Sequence, residues 1–208
     1  DGGQISAVQM DIPKALNYVP LFEIPEEIQL NGLRADWSWE GTWDQWVLNF
    51  DTKNTALNYN GIAVPSLSCT GQWIWGAVPE LSIPSLALET NTGKITGSLE
   101  LKGDAPTLYT NLEGGSNLSE LFDFIETDLL VNPMGFWKGD NISLTQGFRS
   151  WEDFTPVGNP IFKGDISFFE GAFALASSNI SFEKVEAELG IDGRNIQIDR
   201  CFLQSGEN

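Results

Sequence analysis

The chain has 208 residues, 41% of them hydrophobic, with 29 acidic against 11 basic side chains and a net charge of -18. That length and composition suit one domain of ordinary size, or two small units sharing a core, rather than a disordered chain, and the charge repels nucleic acid and anionic membrane surfaces. Histidine is absent, which removes Ser-His-Asp and Cys-His catalysis, histidine metal sites and imidazole acid-base chemistry together.

From the N-terminus, no basic segment followed by an apolar one precedes Asp1, so either a targeting segment has been removed or the chain is part of a longer one. No run approaches the roughly 18 to 20 apolar residues that a membrane-spanning helix needs. DIPKALNYVP (11–20) predicts a helix of about two turns: Asp11 caps it, Pro13 sits in the first turn, Leu16 and Val19 share a face, and Pro20 stops it. Next comes a strand in which Trp46, Leu48 and Phe50 alternate with Gln45, Val47 and Asn49. DTKN (51–54) reads as a turn.

KITGSLELK (94–102) alternates cleanly, with Ile95, Gly97, Leu99 and Leu101 on one side and Lys94, Thr96, Ser98, Glu100 and Lys102 on the other. In NLSELFDFIETDLL, Leu118, Leu121, Phe122, Ile125 and Leu129 fall at helical spacing, and Asn117 with Glu120 predicts the N-terminal cap. Strand alternation then resumes with Ile166 and Phe168. In KVEAELGI, Val185, Ala187, Leu189 and Ile191 alternate with Lys184, Glu186, Glu188 and Gly190. IDGRNIQID (191–199) reads as a turn, since it lacks the spacing of a calcium loop. One-faced strands punctuated by 21 glycines and 10 prolines predict a mainly β, antiparallel fold.

The halves resemble each other. Leu67, Ile74, Leu81, Ile83, Leu86 and Leu88 match Phe182, Leu189, Ile196, Ile198, Cys201 and Leu203, each pair 115 positions apart. Both copies carry one phase slip, between Ile83 and Leu86 and between Ile198 and Cys201, as a bulge or a turn would cause. TALNY (55–59) matches GAFAL (171–175) at an offset of 116. Either this is a repeat, with units at 10–105 and 115–208 inside a single β domain spanning 1–208, or alternating strands have aligned by chance. A repeat implies end-to-end stacking and a fragment of a longer array.

The short helices followed by a G-x-(hydrophobic)-x-(aromatic) strand are similar to the AsmA-like family of Gram-negative envelope proteins, the TamB and YhdP relatives among them. Phe162, Gly164, Ile166, Phe168, Ile180, Phe182, Val185, Ile196, Ile198 and Gly206 carry the pattern in order. It covers residues 115–208 closely and 10–102 loosely. The tryptophans of the first half are outside the family pattern, and the chain holds no membrane anchor. A related texture occurs in the type II secretion protein N. The resemblance implies a strongly curved β-groove or open half-barrel whose apolar interior binds or conducts lipid acyl chains. It also implies periplasm or cell envelope, envelope protein partners and no enzymatic activity.

An apolar sheet face must be packed or offered to an apolar ligand. The groove candidates, chosen by alternation, are Trp46, Leu48, Phe50, Trp73, Trp75, Ile95, Leu99, Leu101, Ile166, Phe168, Val185, Leu189 and Ile191. The alternative is a secreted carbohydrate-binding or glycoside-hydrolase β-sandwich. There Trp37, Trp39 and Trp43 would stack on sugars beside Glu40 and Asp44, although the same tryptophans serve equally as packing. A structural component of a secretion apparatus is the third reading. Cys69 and Cys201 are too few for a disulfide scaffold or a zinc site and are expected as free, buried thiols. Metal and cofactor are expected to be absent, and lipid or another apolar ligand is the expected partner, with no nucleic acid. Asn117, Asn141 and Asn179 match the glycosylation tripeptide, which is common by chance.

Overall fold

Among the described residues, and apart from Pro156 at the start of its strand, each strand proline stands where the pairing slips: Pro65, Pro84, Pro133 and Pro160 fall within register shifts of their ladders. Proline donates no hydrogen bond to a ladder, so a bulge is where a strand interior accommodates it. Three non-glycine residues with positive φ, Asn132, Asn141 and Glu170, occupy such slips as well. Between the slips, β-branched and aromatic alternation builds long strands.

The computed structural model describes residues 2–10, 28–31, 33–42, 44–59, 62–125, 130–178 and 180–205. Its strands are β1 (Gly2–Met10), β2 (Ile28–Asn31), β3 (Leu33–Gly41), β4 (Trp46–Tyr59), β5 (Ile62–Trp75) and β6 (Glu80–Glu89). They continue as β7 (Lys94–Lys102), β8 (Thr107–Asn117), β9 (Leu130–Phe148), β10 (Pro156–Leu175), β11 (Ser181–Asp192) and β12 (Asn195–Ser205), with helix α1 (Leu118–Ile125) between β8 and β9. All strands join one antiparallel sheet in the order β1-β3-β4-β5-β6-β7-β8-β9-β10-β11-β12, with β2 extending β3 along β4. The sheet is open, with β1 and β12 at its ends. The mainly β, antiparallel expectation is what the structure shows.

Among the described residues nothing is layered on this sheet except the two-turn helix α1, which meets β9 and β8. The buried apolar side chains among the described residues are Val64, Leu101, Pro106, Leu118 and Val185, a very small core for a sheet of this size. The accessible surface of 13421 Å² is about 1.4 times the ~9,600 Å² that the mass scaling gives for a compact protein.

The pairing also copies itself. Every β5–β6 pair recurs in β11–β12, so that Cys69–Leu86 becomes Ala187–Cys201 and Trp73–Leu81 becomes Ile191–Ile196. The bulge at Pro84 and Ser85 becomes one at Asp199. The β4–β5 irregularity around Thr55–Leu67 returns around Gly171–Val185. The Ala35–Thr52 pair of β3–β4 returns as Trp137–Phe168. TALNY and GAFAL therefore correspond at an offset of 116, and β6 and β12 at 115, as the sequences align. On β5 and β11 the structural offset is 118 instead, so Leu67 answers to Val185 rather than Phe182, and Ile74 to Asp192 rather than Leu189.

Other expectations change. The helix over 11–20 lies outside the described residues, as do residues 126–129 of the second helix, Trp43, Asn179 and Gly206. DTKN is no turn: residues 51–54 run through β4, where the pairing slips between Thr52 and Thr55. The stretch 191–199 does hold a turn, at Asp192–Asn195, where Gly193 adopts φ 64°. Asn117 does not act as the cap, because its Oδ1 is buried without a hydrogen-bond partner among the described residues. The start of α1 is secured by Thr92 instead. The hydroxyl of Thr92 accepts from the Asn117 backbone N–H at 3.0 Å and donates to Glu120 Oε2 at 2.6 Å.

Candidate functional site

Side chains of directly opposed residues in an antiparallel ladder project to the same side. Following the pairs across the sheet therefore sorts every strand into two faces. One row runs Thr55, Leu67, Leu88, Ile95, Gly114, Gly139, Ile166, Leu189, Ile198, from β4 to β12 without a break. A second runs Leu48, Trp73, Leu81, Leu101, Leu108. All thirteen groove candidates lie on this one face: the rows hold Leu48, Trp73, Leu101, Ile95, Ile166 and Leu189, and the rest follow by alternation on the same strands.

From β4 to β12, no ladder pair on this face contains a charged residue. The opposite face takes them. Lys94–Glu89, Lys102–Glu100, Lys138–Asp140, Lys163–Asp192 and Arg200–Glu186 all form ion pairs there. Ten strand spacings of about 4.8 Å make the sheet roughly 48 Å across. Its apolar side is thus far larger than the isolated patches that soluble surfaces tolerate.

The apolar face packs partly against itself. A Cβ on Gly71 would lie 2.5 Å from Phe50 Cζ, so the phenyl ring of Phe50 crosses over the glycine. Ile142 and Trp137 close in on Gly139 in the same way, at 2.8 and 3.2 Å from an added Cβ. Trp137 keeps its indole N–H satisfied by donating to Ser116 Oγ at 3.0 Å. Most of the candidates are half-buried, and Leu101 and Val185 are buried.

Where β4 begins and β5 finishes, at the end away from the turn that joins them, three of the candidates form a cluster. Trp46 meets Trp73 edge to face at 5.3 Å and stacks on Trp75 at 6.2 Å with planes 16° apart. Trp46 and Trp75, with Glu40, Gln45, Val47 and Ile74, line an open depression of about 560 Å³. Glu40 pairs with Val47 and so belongs to the charged face. Asp44 sits in the exposed β3–β4 turn and is outside the lining. Trp37 and Trp39 occupy register positions opposite Phe50 and Leu48. The proposed sugar set is therefore divided: Trp37 and Trp39 take register positions of the apolar face, Glu40 lies on the charged face and Asp44 in a turn, so its carboxylates are not brought together across one cleft.

Both cysteines are free thiols, but they are not alike. Cys69 is half-buried beside Thr52, whose hydroxyl lies 3.2 Å from its Sγ and accepts the Cys69 backbone N–H at 3.0 Å. Burial pushes the Cys69 thiol above its ordinary pKa, against the lowering effect of the Thr52 hydrogen bond, and nearby Asp51 adds to the rise. Cys201 is exposed on β12, contrary to the expectation of a buried thiol. The reason is its place at the end of the sheet, which the alternation of a single strand does not encode. No metal-holding cluster of acidic or cysteine side chains occurs among the described residues, and no helix there is long and apolar enough to cross a membrane.

Comparison with known proteins finds no matching family model, no matching curated protein and no matching solved structure.

Proposed function

We propose that this chain is a non-enzymatic binding protein whose apolar sheet face takes lipid acyl chains, in the manner of an AsmA-like component of a Gram-negative envelope. One observation carries the reading: a charge-free face runs unbroken from β4 to β12, with nothing but the two-turn helix α1 layered on the sheet among the described residues. Such a face loses about 25 cal/mol for each Å² of apolar surface left in water, so it stabilises any apolar ligand that covers it. The acidic opposite face keeps the protein dispersed while the ligand sits on the other side.

The test is extraction of purified protein with organic solvent and native mass spectrometry. Co-purifying phospholipid or fatty acid is expected. Substituting Leu48→Asp with Leu189→Asp, both on the apolar face, is expected to reduce the lipid recovered, and Thr96→Asp on the opposite face to leave it unchanged. A lipid-free spectrum would remove the proposal.

The depression beside Trp46 and Trp75 favours a second reading, carbohydrate binding, because stacked indoles with a neighbouring carboxylate suit a sugar ring and its hydroxyls. Binding on a glycan array that is abolished by Trp75→Ala, together with a lipid-free spectrum, would put this reading first.

A further inference from the structure

Strand β12 leaves one side of its backbone unpaired among the described residues, and its apolar residues Ile196, Ile198, Phe202 and Leu203 are 66, 63, 49 and 49% exposed. A long edge strand of this kind, without proline and with few charges, is a template for a further strand. What fits it can be read from the sheet itself. Strand β6 has the same register to its inner neighbour as β12 has, including the bulge, yet β6 is covered on its outer side by β7. The copying also extends beyond that pair. The pairs Ser6–Asp36 and Ala7–Ala35 of β1–β3 recur as Gly115–Lys138 and Ser116–Trp137 of β8–β9. The set β1, β3, β4, β5, β6 is thus repeated by β8 to β12, and β7 is the strand that joins one set to the next.

We infer that the outer edge of β12 is a docking site for one antiparallel strand of β7-like chemistry, donated by a partner polypeptide. Transferring the β6–β7 register, Ile95 would stand opposite Leu203, Gly97 opposite Cys201, Leu99 opposite Ile198 and Leu101 opposite Ile196. The incoming strand therefore needs aliphatic residues at every second position on the apolar side and hydroxyl or charged residues on the other. The cationic ends of β7 are dispensable. Lys94 and Lys102 stand opposite Glu89 and Glu80 on β6, whereas β12 offers neutral Gln204 and Asn195 at those points. A second copy of the chain does not supply this strand at its own edge, because β7 is internal and β1 corresponds to β8, one strand too far. Docking would lengthen the apolar face by one row, continuous with the rows already described.

Cys201 makes the register measurable. A synthetic peptide of residues 94–102 with Gly97→Cys, activated as a mixed disulfide with thiopyridine, is incubated with the whole chain. Attack by the Cys201 thiolate forms the protein–peptide disulfide and releases thiopyridone, whose absorbance gives the rate. Mass spectrometry then confirms that the adduct is on Cys201 rather than Cys69. The Gly97 peptide is expected to react roughly tenfold faster than peptides carrying the cysteine at Thr96 or Ser98, whose side chains face away. Replacing Ile196→Lys with Ile198→Lys, at exposed positions that leave circular dichroism unchanged, is expected to slow it roughly tenfold through the loss of two cross-strand pairs. Equal rates for the three peptides would overturn the inference, as would indifference to the lysine pair. Concentration-dependent self-association that the lysine pair abolishes would overturn it too, by making the edge a contact between copies.

Discussion

Thr92, in the turn between β6 and β7, donates its hydroxyl proton to Glu120 in the first turn of α1 across 2.6 Å. Because the same oxygen accepts the Asn117 N–H, Thr92 closes a capping arrangement between Asn117 and Glu120 that those two residues do not close directly. Thr90 adds a second donor to the same carboxylate oxygen at 2.7 Å. Thr92→Val keeps the shape and leaves a helix-start N–H without its partner. The expected loss is about 1–3 kcal/mol in urea unfolding, with lower helical signal. Thr92→Ser retains the hydroxyl and is expected to keep most of that stability.

Gly71 is fixed by crowding rather than by its backbone angles. An alanine there would place its methyl 2.5 Å from Phe50 Cζ and 2.7 Å from the Ser82 carbonyl oxygen. Gly71→Ala is expected to cost about 1–3 kcal/mol. Adding Phe50→Leu should recover only the part due to the ring, since the backbone oxygen stays in place, and the double-mutant cycle in urea measures that split.

The two thiols should separate by reagent access. Cys201 is exposed, while Cys69 is half-buried with its thiol pushed up by burial. Thiolate is the reactive form, so Ellman's reagent at neutral pH should modify one thiol rapidly and the second slowly. The slow phase is expected to disappear in Cys69→Ala and to merge with the fast one in urea.

Asp153 is held below the usual carboxylate range, first by the hydrogen bond from the Thr155 hydroxyl, then by the Thr155 backbone N–H at 3.0 Å, with Arg149 contributing less. A depressed carboxyl stabilises the turn above its ordinary pKa, and that contribution is lost as pH falls through the depressed value. NMR titration should find the Asp153 midpoint below that of a free aspartate, and Thr155→Val should move it upward.

Much of the sheet is legible in the sequence because a period of two is a local property. The sides of Ile95, Leu99 and Leu101, and of Val185, Leu189 and Ile191, follow from alternation alone, and the slip before Leu86 marks a bulge that the pairing contains. The correspondence of β5 with β11 is not legible. A bulge places Phe182 and Val185 on one face, so either can be aligned with Leu67, and apolar identity hides that Ile74 faces away from Leu189. The helix start is readable as Asn-x-x-Glu, but the residue that completes it comes from a hairpin 25 positions earlier. Dispersal of the sugar set is hidden for a similar reason: neighbours in WSWEGTWDQW alternate faces or enter a turn.

The strand order has a consequence for how the chain assembles. Apart from β2, each strand pairs with the one before it, so no long-range closure has to be made before the next contact is gained. Such a zipper folds by adding one strand at a time and opens from its ends, with contacts of low sequence separation setting a fast rate. Amide exchange should accordingly be fastest in β12 and slowest in the middle strands, a gradient rather than a single global opening.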